Sequence, residues 1–558
     1  MGRSKKLILG KLVAQLIKRF QVEQKLFIVL LLFMALAGSA LGKDSFALYT
    51  DRDMYSGGET LMLKVFTPLN EQTGVVTIDL VNSSGKKITG IKLEIIDHQA
   101  NGYIHLPDSL SSGFYLLRTL TRSATLHTMK ELYIANRFST LSGQTEILRP
   151  HGEISYPEMQ TASIQINGLS KVYKKREKGI ASLQLPDELL SRIDGNIQLS
   201  LAKVVSELNT RTFIVNTKLP PGPIIEKEGI ILDGIVTDLK SDLPFKGAAV
   251  YLSIPDSIPG FQYFITGADG RFYFQLKNCY GKIPLVVQCL DPLTKRLLKI
   301  RLIDSEELRS GLPAYKMSAF PVDMTNQIVK LTETLTIRKI FNQPEIKIQP
   351  TPSTKHDTYP FYGIPTNIVY PKLFIDLPDF NEVSRELLPG VKFRSYNRMP
   401  TLEVINSATR NFFANTPLLL LDGIPIQDLN LIIKLGSKNI DRVEICQDER
   451  FYGDLTFPGV VAIYSSKGSN VKIPESEELI KLNLDGIQTK AVLISPSDPL
   501  SPEPDLRNIL LWKPSVSPAG TLPIDFQTSD IKGTFKLVVR GKTKDGAIFF
   551  KEQIFEVN

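Results

Sequence analysis

Three cysteines, five histidines and one tryptophan in 558 residues leave little of what metal sites and disulfide frameworks are made from. The odd number of cysteines (Cys279, Cys289 and Cys446) forbids complete pairing and excludes a disulfide miniprotein. Cys279 and Cys289 could bridge the arms of one hairpin, but small buried hydrophobes are the commoner use of such residues. Glycine and proline, at 37 and 35, are too few for collagen or a low-complexity chain. Long apolar runs are also scarce. Only Leu26–Gly42 approaches the length needed to span a bilayer, so a polytopic helical membrane protein is excluded. With 42% hydrophobic and 22% charged residues, the chain can bury several cores.

The formal charge of +8 is concentrated at one end. Residues 1–42 carry seven Lys or Arg against Glu23, and without them the remainder is close to neutral at +2. A nearly neutral body does not make a phosphate-binding surface, so no nucleic-acid partner is expected. A basic stretch, the apolar run from Leu26 and the small residues Gly38, Ser39, Ala40 and Gly42 read as a secretory signal cut after Gly42 or Ala40. The alternative is an uncleaved anchor, which would bring membrane association through residues 26–42. No cysteine lies at the junction, so no lipoprotein is expected.

Beyond residue 43 helical periodicity is rare and short β-patterned runs dominate. Thr60–Thr67, Val75–Val81 and Gly113–Arg118 are rich in β-branched and aromatic residues and are separated by turn clusters such as Ser56-Gly57-Gly58. Strands at this spacing predict a mainly β chain of tandem antiparallel sandwiches. Proline-rich stretches at 219–223, 349–352 and 495–504 mark seams.

Four pieces carry resemblances. Thr50-Asp-Arg-Asp-Met-Tyr-Ser-Gly-Gly-Glu-Thr60 and Leu106-Pro-Asp-Ser-Leu-Ser-Ser-Gly-Phe-Tyr115 resemble a macroglobulin-type sandwich, which implies one over 44–138 and a weaker copy over 150–218. Gly229–Asp238, Phe245–Leu252 and Thr266–Phe274 are similar to the carboxypeptidase-like regulatory domain, an ancillary transthyretin-like sandwich over 228–302. In it Asp269-Gly270 suits a tight hairpin turn, with Phe272 and Phe274 on one face. Residues 303–359 read as linker. Pro417-Leu-Leu-Leu-Leu-Asp-Gly-Ile-Pro-Ile426, Ile440-Asp-Arg-Val-Glu-Ile445, Tyr452-Gly453 and Pro458-Gly-Val-Val-Ala-Ile-Tyr464 resemble the plug domain of TonB-dependent outer-membrane receptors. This implies a small α+β piece over 360–470. The last piece, 480–558, has the Trp512-Lys-Pro514, Phe526 and Gly533 pattern of macroglobulin-related end segments, with Trp512 expected as a packing anchor. The whole order resembles exported proteins of Bacteroidetes-type bacteria.

A receptor of that type closes a 22-stranded barrel after its plug, and strands of about 10 residues then demand several hundred residues. Only 88 follow position 470, too few for a transport pore. The residues that match the plug pattern (Pro417, Asp422, Gly423, Pro425, Tyr452, Gly453 and Gly459) are expected to serve turn geometry and packing.

Catalytic signals are weak. His98, His105, His127, His151 and His356 form no metal-ligand spacing and read as surface or satisfied polar residues. No nucleophile elbow or phosphate loop appears. Cys446-Gln-Asp-Glu449 lacks the glycine and terminal glutamine of a thioester. Asp51 and Asp53, and Asp376 and Asp379, lack a calcium-loop pattern and read as solvated turn carboxylates. The runs Lys171–Lys178 and Ser476–Glu478 read as wet faces or linkers.

The expectation is therefore an exported, non-catalytic envelope interaction scaffold, periplasmic or associated with the outer membrane, without cofactor or metal. Its plug-like module would dock an envelope protein or glycan. The alternatives are an accessory of a TonB-dependent uptake system working with a separate barrel protein, a macroglobulin-like protease-interacting protein without a thioester, and an enzyme outside known motifs.

Overall fold

The computed structural model describes residues 45–82, 84–122, 126–136, 154–155, 159–161, 163–204, 210–216, 226–255, 259–290, 297–303, 325–341, 343–351, 359–396, 399–466, 472–494, 496 and 498–558. The expected signal segment, His151 and His356 lie outside them. No helix among the described residues is long and apolar enough to cross a membrane. The chain is mainly β, in tandem antiparallel sandwiches, and divides into two compact units: residues 1–228, 308–350 and 487–558, and residues 229–307 and 351–486.

The first unit holds two sandwiches. In one, a sheet of Ala47–Thr50, Thr60–Phe66 and Gln99–His105 faces a larger sheet of Lys87–Ile95, Gly74–Val81, Gly113–Leu120, Leu126–Ala135, Thr212–Asn216 and Ile154–Ser155. The three runs read as strands from the sequence are strands here. Leu61, Leu63 and Val65 alternate inward against Val76, Ile78, Leu80 and Leu117 in one core, as the period of two requires.

The second sandwich joins distant parts of the sequence. Lys178–Gln184 pairs with Thr521–Gln527, and Ile193–Lys203 lies between Ile509–Val516 and Gly533–Thr543. Residues 509–557 therefore share both sheets with residues 165–203. Phe526, Phe535 and Phe555 stack in the common core, and Tyr173 meets Phe526 and Phe555 edge-on. Thr212–Asn216, expected beside these strands, pairs instead with Leu126–Ala135 of the first sandwich.

Within the stretch read as linker, Thr325–Ile340 is a helix, and Ile346–Ile348 pairs with Ala491–Leu493. Ile328 and Leu331 bury the helix against Met54, Tyr133 and Ala135. The apolar positions three apart explain the helix, although its polar composition hides it.

The second unit begins with a small sandwich. Arg271–Leu276, Ile230–Asp238 and Leu298–Leu302 form one sheet, and Gly260–Ile265, Ala249–Ile254, Lys282–Leu290 and Leu479–Asp485 the other. Phe272 and Phe274 do point together into its core. The hairpin expected at Asp269-Gly270 is absent. Gly270 has the expected positive φ of 68°, but the strands on either side belong to different sheets, so the turn is a crossover.

The rest of the unit is α+β. Its five-stranded sheet runs in the order Asn367–Val369, Ile440–Tyr452, Leu455–Ser465, Leu418–Leu421, Ile424–Pro425. A helix, Phe380–Leu387, and a hairpin of Val391–Tyr396 with Met399–Val404 cover one face. Asp379 caps the helix by accepting from the Glu382 amide at 2.9 Å. This carboxylate, read as solvated, therefore has a structural partner, whereas Asp376 is exposed, as read, and pairs with Lys438 at the surface.

Candidate functional site

The plug-pattern residues occupy turns and one aromatic seam. Pro417 is buried at the entry to Leu418–Leu421. At Asp422 and Gly423 the φ angles are 50° and 79°, the all-positive geometry of a two-residue hairpin turn. The Asp422 carboxylate accepts from the Ser465 amide and hydroxyl, both at 2.7 Å, which ties the turn to the parallel strand beside it. A Cβ on Gly423 would lie 2.4 Å from Pro259. The Pro425 carbonyl accepts from Gln288 at 2.9 Å. Gly459, at φ 83°, sits opposite the register shift between Cys446 and Glu449, where a Cβ would meet the Cys446 carbonyl at 2.9 Å. These residues therefore lie at a turn, a strand entry and close backbone approaches.

Tyr452 and Gly453 do something more. Tyr452 donates to the Phe261 carbonyl at 2.8 Å, and the Asp454 amide donates to the Tyr263 hydroxyl at 2.8 Å. Phe361 stacks on Phe261 with centroids 4.0 Å apart and meets Tyr452 edge-on at 5.3 Å. The long hairpin Ile440–Ser465 is therefore fastened onto the edge of the small sandwich by aromatic contacts, each worth about 1 kcal/mol beyond area burial. Sequence spacing shows the turn and not its partner, which lies nearly 200 positions away.

Beneath this seam is a buried polar group. Tyr362 donates to Glu444 at 2.6 Å and stands 3.0 Å from the Tyr464 hydroxyl, while Arg442 donates to Glu444 at 2.7 Å and lies over the Tyr464 ring. Burial, the neighbouring Tyr464 and the hydrogen bond to Glu444 push the Tyr362 phenol far above its usual range. Alternation alone reads Glu444 as outward. Its buried carboxylate is held by these partners.

One surface of the same piece is open. Ile368, Tyr370, Leu373, Phe374 and Phe412 line a groove of about 740 Å³ beside the helix Phe380–Leu387. Leu373 is 79% exposed and Ile375 69%. Among the described residues Asn367–Val369 ends the five-stranded sheet, bonded on one side only. Apolar residues in such a row on one surface are characteristic of interaction sites. No motif marks them.

In the first unit, the Asp51–Glu59 motif proves to be a charge knot. The side chain of Asp51, read as a solvated turn carboxylate, is buried. It accepts from Arg52 at 2.9 Å, Tyr55 at 2.8 Å and the Met62 amide at 2.8 Å. Burial nevertheless raises its carboxyl to about 6 against the pull of Arg52. Glu59 accepts from the Ser56 amide at 2.7 Å, Arg52 at 3.4 Å and Asn508 at 3.1 Å, with Arg338 of the long helix 3.9 Å away. Arg338 also pairs with Glu345, whose other oxygen accepts from the Thr60 amide at 2.9 Å. Asp53 pairs with Lys130 at 2.6 Å. The motif thus clamps residues 338–345 and 508 to the first sandwich. Such a role needs the fold to be seen.

Other sequence readings also change. Within the charged run Lys171–Lys178, Arg176 pairs with Asp530 at 2.6 Å and donates to the Glu503 carbonyl at 2.6 Å, so this run is partly structural. Within Ser476–Glu478, the Glu478 carboxylate accepts from the Leu298 amide at 3.0 Å. His127, read as a surface or satisfied residue, is fully buried. Its Nδ1 is 3.0 Å from the Thr119 carbonyl, and Nε2 has no partner among the described residues. All three cysteines are buried and outside any disulfide among the described residues, and burial pushes Cys279 and Cys446 up. Among the described residues no cluster of three or more His, Cys, Asp or Glu could hold a metal ion.

No protein-family model matches the chain, and neither does any curated protein. Among solved structures, α2-macroglobulin from Salmonella reacted with methylamine aligns over 92% of this chain and 39% of its own, at 9% identity and a TM-score of 0.21. Native E. coli α2-macroglobulin aligns over 92% and 40%, at 11% identity and 0.23. Dimeric latent PorU from Porphyromonas gingivalis aligns over 46% and 33%, at 11% identity and 0.16. The chain spans about two fifths of the length of the macroglobulins it aligns with. Scores this low carry no argument about activity or partners.

Proposed function

We infer that this chain is a non-catalytic interaction scaffold of the cell envelope, exported, with its sandwiches as spacers and the plug-like module as the docking element. The observation that carries this reading is the exposed apolar row Ile368–Ile375 and the groove beside it. Burying roughly 300 Å² of such surface against a partner would contribute about 7 kcal/mol before the entropy of association is subtracted. The buried cysteines and the structural occupation of the conspicuous carboxylates support a binding role over catalysis.

The test is differential capture from detergent-solubilised envelope extract of the native host. Full-length protein should retain a defined partner that the Leu373→Glu/Phe374→Glu double variant loses, with unchanged circular dichroism and melting. Retention of the same partner by both forms, or of none by either, would sink the docking role. Should the partner be an outer-membrane barrel, the accessory-uptake version of the reading is favoured.

A further inference from the structure

A second surface, in the first unit, has the makings of a peptide site. A cleft of about 820 Å³ opens beside Trp512. Six consecutive residues, Leu510–Ser515, line it. Side chains of a strand alternate between faces, so consecutive lining means that the strand presents its backbone edge to the cleft. The topology agrees. Among the described residues Ile509–Val516 ends its sheet, bonded only to Ile193–Lys203, and no described hydrogen bond reaches the outward groups of Leu510–Lys513. Pro514, without an N–H, is a residue that sheets tolerate at edges.

Two further terminal strands converge on the same space, Thr521–Gln527 through residues 525–527 and Ala491–Leu493 through residues 490–494. Exposed strand edges are usually blunted or covered, because they template pairing with another chain.

The walls specify what would pair. Ile180, 71% exposed, and Val492, 44% exposed, offer apolar contacts near Trp512. Lys178, Lys490 and Lys513 are exposed and make none of the described ion pairs, against one carboxylate, Asp525. Arg507 is already committed to Asp505 at 2.6 Å.

We propose that this cleft binds an extended acidic peptide segment of a partner protein, which adds as a strand to the free edge of Leu510–Lys513. Main-chain hydrogen bonds hold the segment, alternate apolar side chains contact Ile180 and Val492, and its carboxylates meet Lys178, Lys490 and Lys513. This is strand addition with charge selection. It is independent of the groove in the other unit.

The chain carries its own reporter, because Trp512 is its only tryptophan. Full-length protein is titrated with a blocked octapeptide of alternating Glu and Val, and indole fluorescence is followed. A saturable change is expected. It should be absent with the alternating Lys-Val octapeptide and with an N-methylated Glu-Val peptide that cannot pair with a strand. Binding should weaken at least tenfold in the Lys490→Glu/Lys513→Glu variant, whose changes are at the surface. No saturable response to the acidic peptide would overturn the proposal. So would equal binding of the basic or N-methylated peptide, or affinity unchanged in the variant. A fluorescence change driven by protein concentration alone would assign the cleft to a second copy of the chain and likewise overturn it.

Discussion

His127 should resist protonation, and the consequence for stability can be worked from its surroundings. The ring is fully buried, Nδ1–H donates to the Thr119 carbonyl, and a proton added at Nε2 would find no acceptor. Burial, with a smaller contribution from the Arg118 guanidinium, lowers its pKa from 6.5 to about 4. The unfolded chain therefore binds a proton between about pH 6.5 and pH 4 that the folded chain refuses. Stability falls as the pH drops through that window. At about 1.4 kcal/mol per pH unit the loss reaches about 3 kcal/mol. Asp51 acts in the opposite sense. Its carboxyl is raised to about 6 from 3.8, so it contributes stability that is present at low pH and lost as the pH rises through 6. The two slopes oppose each other over this window, and a variant must separate them. With five histidines in the chain, imidazole signals can be resolved by NMR and that of His127 assigned by its loss in His127→Gln. The signal should remain neutral at pH 5. Relative to wild type, the variant should gain about 3 kcal/mol on going from pH 7 to pH 4 in denaturant unfolding. An imidazole titrating near 6.5, or parallel pH profiles for the two proteins, would mean that burial does not hold His127 neutral.

Other expectations rest on single contacts. Glu59→Gln removes the charge that holds Arg52 and faces Arg338, and should cost about 3–5 kcal/mol in the unfolding free energy, as removal of one partner from a buried ion pair does. Gly423→Ala forces a Cβ toward Pro259 at a φ of 79° and should lower stability by about 1–3 kcal/mol, while Gly85→Ala, also at positive φ but with open space around it, should cost less. The difference between their melting temperatures separates crowding from backbone strain. Lys64 is buried beside Gln99, and burial lowers its pKa from 10.5 to about 7. The unfolded chain then holds the extra proton above pH 7, so raising the pH from 7 to 9 should add about 2 kcal/mol of stability, a gain absent in Lys64→Met.

How much of this was legible in the sequence depends on the range of the interaction. The strands at 60–66, 74–81 and 113–120, the turn at Asp422-Gly423 and the inward pair Phe272 and Phe274 follow from local alternation and turn chemistry, which a short window contains. The joining of residues 178–203 to 509–557 does not, because nothing local tells a sandwich that its missing strands lie 300 positions later. Asp51 and Asp269 show two ways in which a correct local reading misleads. An aspartate beside glycines has the look of a wet turn, but the fold places Arg52, Tyr55 and the Met62 amide around Asp51. Asp-Gly does make its turn at 269–270, and the turn serves a crossover. Exposure of Leu373 and Ile375 was also hidden, since an apolar run reads as core until the neighbouring sheet is seen to end at Asn367–Val369.

The row Ile368–Ile375 is proposed as a docking surface. Photo-crosslinking in native cells, with the reactive group at Phe374 and a control at Lys282 on the neighbouring sandwich, followed by mass spectrometry, tests it most directly. A discrete crosslinked envelope partner is expected from position 374 and none from the control. No adduct at 374, or the same diffuse set of proteins from both positions, would contradict it.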